Sequence, residues 1–213
     1  MIIKPTPSQH WPLAALLTLT LAAGSAQAHH PVGGVAPGTL AQGLLSGLGH
    51  PVIGLDHLLF VLAVGVWGAL ADAGRLRCAF CFVVMSLAGT LLHAARVDLP
   101  LNEAWVAGTL LAAAAALLWQ RVLPMAGVLA FLAIAGAVHG YAYGEAVVGA
   151  EATPLLAYLV GLCIVQLGLT AGVAALTRRV QARATWLVRK ARTALAALVA
   201  LTGILGLQAV LWG

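Results

Sequence analysis

Long apolar runs follow one another along most of this chain, separated by short polar segments. They lie near 51–71, 77–95, 104–119, 122–142, 154–176 and 193–212, and each has about 16 to 23 residues. A helix needs about 20 apolar residues to cross the core of a bilayer. No strand-like alternation accompanies these runs, and in lipid only helices and closed barrels satisfy their own backbone polar groups. The pattern predicts an all-α membrane protein, a polytopic bundle of about six transmembrane helices.

Composition changes this picture little. Of 213 residues, 62% are hydrophobic and only 8% are charged, whereas a soluble domain has roughly 25% charged residues. A chain with so few charges has little to cover its surface in water, so the lipid bilayer is its expected surroundings. The cysteines Cys78, Cys81 and Cys163 all lie inside apolar runs, which favours packing over a disulfide framework or a metal site.

The N-terminal segment has the features of a secretory signal. Lys4 precedes an apolar stretch over 13–24, and Ala26-Gln27-Ala28 follows as a cleavage pattern. We therefore predict a signal peptide over 1–28 and a single transmembrane domain over 29–213. Cleavage would leave His29 and His30 at the new N-terminus, where they either bind a divalent metal on the outer face or form an idle tail.

Basic residues are distributed very unevenly between the two sides of the predicted bundle. With the mature N-terminus outside, the outer loops contain Arg96 and the inner loops contain nine basic residues, namely Arg75, Arg77, Arg121, Arg178, Arg179, Arg183, Arg189, Lys190 and Arg192. This is a strong positive-inside bias, and it predicts that the C-terminus also lies outside. The basic residues behind the net charge of +5 are therefore expected to interact with anionic lipid headgroups. No nucleic-acid partner is expected.

The first span contains the sequence's most informative polar residues, His50-Pro51-Val52-Ile53-Gly54-Leu55-Asp56-His57. A carboxylate inside a span is costly and normally has a partner and a purpose. On a regular helix His50 and His57 would share a face but stand about 10 Å apart along the axis. Pro51 suits the first helical position, so we predict that His50 precedes the helix near its outer mouth. From there the His50 side chain could fold back towards His57. Alternatively, it could lie at an earlier position on the same path through the protein.

A second cluster ends the fourth span, where His139 and Tyr143 are four residues apart and Glu145 follows. The glycines at 140 and 144 would loosen the helix, so Glu145 is predicted to turn inward. His93 ends the second span on the same outer side, although a lone histidine of this kind is more often a packed residue. Imidazoles and carboxylates from several helices suit a borderline divalent cation. A proton relay through Asp56 and His57 remains the alternative.

At these residues the sequence resembles the HupE/UreJ family of nickel and cobalt permeases. The family signature H-P-x-x-G-x-D-H is met in full from His50 to His57, and the segments 99–103 and 139–144 resemble the family's L-P-x-x-E and H-G-x-A-H-G. The resemblance implies inward transport of Ni²⁺, or else Co²⁺ or Cu²⁺, across the bacterial inner membrane. The ion is then the substrate, no cofactor is expected, and the predicted metal-binding residues are His50, Asp56, His57, His139, Glu145, His93, His29 and His30.

One departure from the family pattern concerns the second motif. Tyr143 stands where the family usually has a second histidine, and a neutral phenol is a poor ligand. The departure predicts weaker binding or broader selectivity among metal ions. We expect His93 to replace part of the missing ligand.

Motifs for other activities are missing from the sequence. It contains no G-x-x-x-x-G-K-[ST], no H-E-x-x-H and no G-x-S-x-G. These absences favour a secondary permease or facilitator over an enzyme. The alternatives are a metal-dependent intramembrane hydrolase and an accessory protein that delivers metal without transport. Gly168 and Gly172 would let a neighbouring helix approach closely, and the oligomeric state is open, a homo-oligomer included.

Overall fold

The computed structural model describes residues 36–70, 75–119 and 124–212, and the regular structure in these ranges is entirely helical. The seven α-helices are α1 (Leu40–Ile53), α2 (Leu55–Leu70), α3 (Arg75–Ala94), α4 (Asn102–Leu118), α5 (Met125–Gly144), α6 (Ala152–Gln181) and α7 (Thr185–Trp212), and a 3-10 turn, Glu145–Val147, follows α5. The all-α prediction is confirmed. The predicted signal peptide over 1–28 lies outside the described residues.

Four of these helices are long and apolar enough to cross a membrane, namely α3, α5 with its 3-10 turn, α6 and α7. A fifth span results if α1 and α2, which are bent by 79° relative to each other, count as one. Helix α4 has 17 residues and would extend about 25 Å, slightly less than the roughly 30 Å of a bilayer core. The predicted count of about six spans therefore stays a prediction.

The outer surface of the bundle carries large apolar side chains. On α6, Leu156, Ile164 and Leu176 each expose more than half of their surface, and Ile204 and Leu211 do so on α7. Water would penalise such a surface, whereas lipid tails accept it. The helices bury their polar side chains and present apolar ones to the outside, as a helical membrane protein requires.

The first span is a broken helix. Helix α1 begins at Leu40, where the Thr39 side chain accepts a hydrogen bond from the Gln42 amide, and it continues through Pro51 to Ile53. The prediction that Pro51 opens the helix and leaves His50 before it is wrong. Proline lacks the amide that would bond to the preceding turn, and the chain takes an extended conformation three residues later, at Gly54.

The break at Gly54 preserves much of the backbone hydrogen bonding. The Gly54 amide still donates to the His50 carbonyl at 3.2 Å, and its carbonyl accepts from Leu58 at 2.8 Å. A β-carbon at position 54 would lie 2.8 Å from the His57 ring and 3.0 Å from the Asp56 carboxylate. Only glycine leaves room there for the two side chains that follow it.

Glycines bring two pairs of helices into backbone contact. In the pairing of α1 with α6, Gly43 and Gly47 face the backbone of Pro154 and Tyr158. In the pairing of α3 with α5, Gly89 faces the Ala137 carbonyl. At each of these positions a β-carbon would collide with main-chain atoms. The close approach fixes which side chains of the paired helices meet inside the bundle.

The predicted contact through Gly168 and Gly172 is wrong within the described chain. A β-carbon at either glycine would have no neighbour within 4 Å, and both residues are exposed. The face of α6 that packs against α1 carries Gly161 instead, opposite the Leu44 carbonyl.

Helix α2 occupies the centre of the bundle, where it contacts α1, α3, α4, α6 and α7. Its Phe60 is fully buried and stacks on Phe82 of α3 with ring centroids 5.4 Å apart. Cys78 is buried in this same core, in agreement with its predicted packing role. The first turn of α2, which carries Asp56 and His57, is thereby held against several helices at once.

Replacing Gly89 by alanine tests the backbone contact between α3 and α5. The added methyl would meet the Ala137 carbonyl, so we expect a loss of about 1 to 3 kcal/mol in the free energy of unfolding. Gly168→Ala is the matched control, since it adds the same methyl where nothing lies within 4 Å. Thermal unfolding in detergent, followed by circular dichroism, should show a lower midpoint for Gly89→Ala alone; equal midpoints would contradict the close packing.

Candidate metal centre

The bend at Gly54 brings His50 and His57 together. Their ring centroids are 5.8 Å apart, and the residues are 1% and 2% exposed. The sequence allowed His50 to fold back towards His57, and the structure achieves this contact by bending two helical segments. His50 itself is helical, not part of an irregular lead.

His139 of α5 contacts His57 of this pair. Its Nδ1 lies 2.9 Å from Nδ1 of His57, and its Nε2 lies 3.1 Å from the Thr109 hydroxyl. That hydroxyl donates to the Val106 carbonyl, so His139 donates through Nε2 and accepts at Nδ1. With both rings neutral, His57 is then protonated at Nδ1 and carries its lone pair on Nε2.

Asp56 faces that Nε2 atom. The distance from Asp56 Oδ2 to His57 Nε2 is 3.9 Å, and the carboxylate side chain is 32% exposed, against 3% for the imidazole. A carboxylate oxygen and an imidazole lone pair are both ligand atoms for divalent transition metals. The two neighbouring residues thus present two ligand atoms to the same small region.

Tyr158 fixes the orientation of His50. The tyrosine hydroxyl donates to the Tyr143 carbonyl at 2.8 Å and lies 2.9 Å from Nδ1 of His50. Because the hydroxyl has one proton, the His50 Nδ1 must donate to it, which leaves the lone pair of neutral His50 on Nε2. Metal-binding histidines in proteins are commonly held through the other ring nitrogen in this way.

Tyr143 is fully buried between the histidines. Its ring centroid is 4.3 Å from that of His57 and 5.2 Å from that of His50. Its hydroxyl makes no hydrogen bond to any described residue. A buried hydroxyl without a partner is costly, so this atom marks a place where a ligand or water would be favourable. The residue that departs from the family motif therefore lies inside the centre.

His93 has different neighbours. Its Nδ1 lies 2.6 Å from the Tyr141 carbonyl, and its ring stacks on that of Tyr141 at 4.1 Å. Together with Arg96 and Asp98 it lines a separate cavity of about 190 Å³. These contacts are those of a packed histidine. Its predicted role as a replacement ligand stays a prediction without support from its position.

Glu145 does not turn inward as predicted. It is the first residue of the 3-10 turn and is exposed, whereas Ala146 and Val147 after it are buried. The turn after α5 directs the two apolar residues to the interior, and the carboxylate takes the outer position. His29 and His30 lie outside the described residues.

The centre is a hydrogen-bonded network in this structure. Within 36–70, 75–119 and 124–212, no three histidine, cysteine, aspartate or glutamate side chains are arranged to hold one metal ion. Nitrogen and carboxylate atoms of His50, Asp56, His57 and His139 are nevertheless close together. Two contributors, Tyr158 and Thr109, were missed by the sequence analysis, although each is a polar group in an apolar span that needs a partner.

Comparisons with known proteins show which family the chain belongs to. The family model described as HupE / UreJ protein matches residues 17–205 of the chain. The chain belongs to the HupE/UreJ family. Members of the HupE/UreJ family are transport or accessory proteins and are generally linked to the uptake of nickel and cobalt. The resemblance noted at His50 to His57 is confirmed.

One HupE/UreJ relative is Protein HupE of Rhizobium leguminosarum bv. viciae, which is 32% identical over 131 residues. The matched region covers 60% of this chain and 66% of the relative, just under two thirds of its length. No solved structure is significantly similar to this chain.

Replacing Tyr158 by phenylalanine tests how His50 is oriented. Loss of one hydrogen bond, worth about 1 kcal/mol, should change the tautomer ratio of His50 about fivefold. Nitrogen NMR of the labelled imidazoles should show a protonated Nδ1 in the wild type and a mixture in Tyr158→Phe. Tyr141→Phe is the control, because that hydroxyl bonds to Val97 and Leu99; an unchanged His50 spectrum in Tyr158→Phe would contradict the assignment.

Proposed function

We propose that this protein is a secondary permease that takes up a divalent transition-metal ion, Ni²⁺ before Co²⁺, through the centre formed by His50, Asp56, His57 and His139. One observation carries the proposal: His50 and His57 lie together with ring centroids 5.8 Å apart, and the Asp56 carboxylate lies 3.9 Å from Nε2 of His57. This donor set suits borderline ions such as Ni²⁺, Co²⁺ and Cu²⁺.

The separation of the ligand atoms supports an ion between Asp56 and His57. An ion bound at about 2.1 Å from each atom would separate them by about 3 Å if they were adjacent ligands and about 4.2 Å if they were opposite. The 3.9 Å between Asp56 Oδ2 and His57 Nε2 falls within that interval.

The location of the centre supports a transport role. His50, His57 and Tyr158 lie near the same end of the bundle, whereas the exposed residues Arg178 and Arg179 close the opposite end of α6. Under the positive-inside rule that basic end faces the cytoplasm. We therefore propose an inner-membrane protein whose centre receives the ion from the outer side.

Replacing Asp56 by asparagine tests the centre directly. The amide preserves the shape of the carboxylate but loses the charge that offsets the desolvation of a cation. We expect uptake of radiolabelled Ni²⁺ into proteoliposomes to fall at least tenfold, while the amount of inserted protein is unchanged. Glu151→Gln, which neutralises an exposed carboxylate before α6, should transport normally.

Two results of that experiment would reject the proposal. Uptake by Asp56→Asn at the wild-type rate would mean that the ion does not use this centre. Wild-type protein that binds Ni²⁺ but transports none would favour the metal-delivery role of an accessory protein.

Replacing Tyr143 by histidine tests the departure from the family motif. An imidazole at this buried position beside His50 and His57 would add a nitrogen donor. We expect half-saturation at a several-fold lower Ni²⁺ concentration, with a smaller change for Co²⁺ and Cu²⁺. Because His93 is bound to Tyr141, His93→Ala should be silent in both backgrounds. A loss of uptake in His93→Ala that Tyr143→His repairs would instead restore His93 as a ligand.

A further inference from the structure

Gln166 is a buried polar residue that the proposed centre does not use. It is 0% exposed, and its Nε2 donates to the Ser86 hydroxyl at 3.0 Å. Its carbonyl oxygen Oε1 is buried and accepts no hydrogen bond from any described residue. Burying an amide oxygen without a partner is costly, and such exceptions call for an explanation.

Polar contacts connect Gln166 to the centre through the interior of the bundle. Ser86, which is fully buried, accepts the Thr90 hydroxyl at its own carbonyl at 3.0 Å. The same hydroxyl lies 2.9 Å from the carbonyl of Gly140, the residue that follows His139. Hydrogen bonds therefore connect the amide nitrogen of Gln166, through Ser86 and Thr90, to the backbone carbonyl of the residue that follows His139.

The position of Gln166 along α6 shows where it lies relative to the centre. Tyr158 touches the centre, and Gln166 follows eight residues later, about 12 Å further along the axis. Both residues are fully buried, and the helix continues from Gln166 towards its basic end at Arg178 and Arg179. Gln166 thus lies nearer than Tyr158 to the end that we propose to face the cytoplasm, and its partner Ser86 packs beside Gly140.

We propose that Ser86 and Gln166 form a second site for the transported cation, which it occupies after leaving the histidines. This inference rests on the proposed function. An amide oxygen and a hydroxyl are neutral ligands that can replace water around a partly hydrated divalent ion. They bind Ni²⁺ more weakly than imidazoles do, and conduction requires sites that an ion can leave again. The histidine centre selects the ion, and the oxygen site passes it on.

The experiment compares transport with binding in three variants of the full chain. Ni²⁺ uptake is measured in proteoliposomes, and Ni²⁺ binding is measured by calorimetry in detergent. Gln166→Leu should lower the maximal uptake rate at least tenfold, while Ni²⁺ binding at the histidine centre stays within twofold of the wild type. Gln166→Glu keeps the shape and adds a charge, so a second Ni²⁺ should bind and turnover should slow.

The matched control is Thr170→Val. Thr170 is a buried residue one turn after Gln166, and its hydroxyl donates to the helix's own carbonyls, those of Gln166 and Leu167. It should transport and bind Ni²⁺ like the wild type. If the bond between Gln166 and Ser86 only joined α3 to α6, Gln166→Leu would lower thermal stability without changing the uptake rate, and that result would overturn the proposal.

Two further outcomes are decisive. If Gln166→Leu does not fold, Gln166→Glu decides: unchanged stoichiometry and an unchanged rate overturn the second site. If the wild type takes up no metal, the proposed function fails by itself. The second site is then judged by stoichiometry alone, because one additional Ni²⁺ in Gln166→Glu supports it and an unchanged value rejects it.

Discussion

Polar groups inside a bilayer must find their partners within the protein, because the lipid offers none. This constraint organises the interior of the bundle. Three histidines, two tyrosines and a threonine from five helices meet around the first turn of α2, and nearly every polar atom there has a partner in a neighbouring side chain or carbonyl. The Tyr143 hydroxyl is the exception in this network, and elsewhere in the described chain the buried side-chain oxygens of Gln166 and Asn102 also have no hydrogen-bond partner.

The composition of the chain was enough to predict a helical membrane protein, since apolar runs of this length have few other solutions. The motif from His50 to His57 was also recognisable, because an aspartate is costly in such a run. Its geometry was harder to predict. Pro51 is compatible with the first position of a helix and also with a helix interior next to a break. Which of the two occurs depends on whether the glycine-containing segment before it is helical.

The glycines before Pro51 explain the main error, which was to predict that His50 lies before the helix. The segment 32–49 reads as an irregular lead if glycine is taken as a residue that weakens helices. In the structure Gly43 and Gly47 lie in α1 because only glycine lets its backbone reach that of α6. Gly168 and Gly172 misled in the opposite direction, because they have the spacing of a helix contact but no partner helix in the part of the chain that the structure describes. Glycine spacing shows where an approach is allowed, and the remaining packing decides whether it happens.

The break at Gly54 also places two helix ends beside the centre. Aligned peptide dipoles leave partial negative charge at the end of α1 and partial positive charge at the start of α2. Asp56 lies in the first turn of α2, where that positive end stabilises its carboxylate, while the last carbonyls of α1 attract cations. Membrane transporters often bind ions at interrupted helices for this reason. The backbone of the first span thus adds an electrostatic field to the side-chain ligands, and no substitution of a side chain alone would remove it.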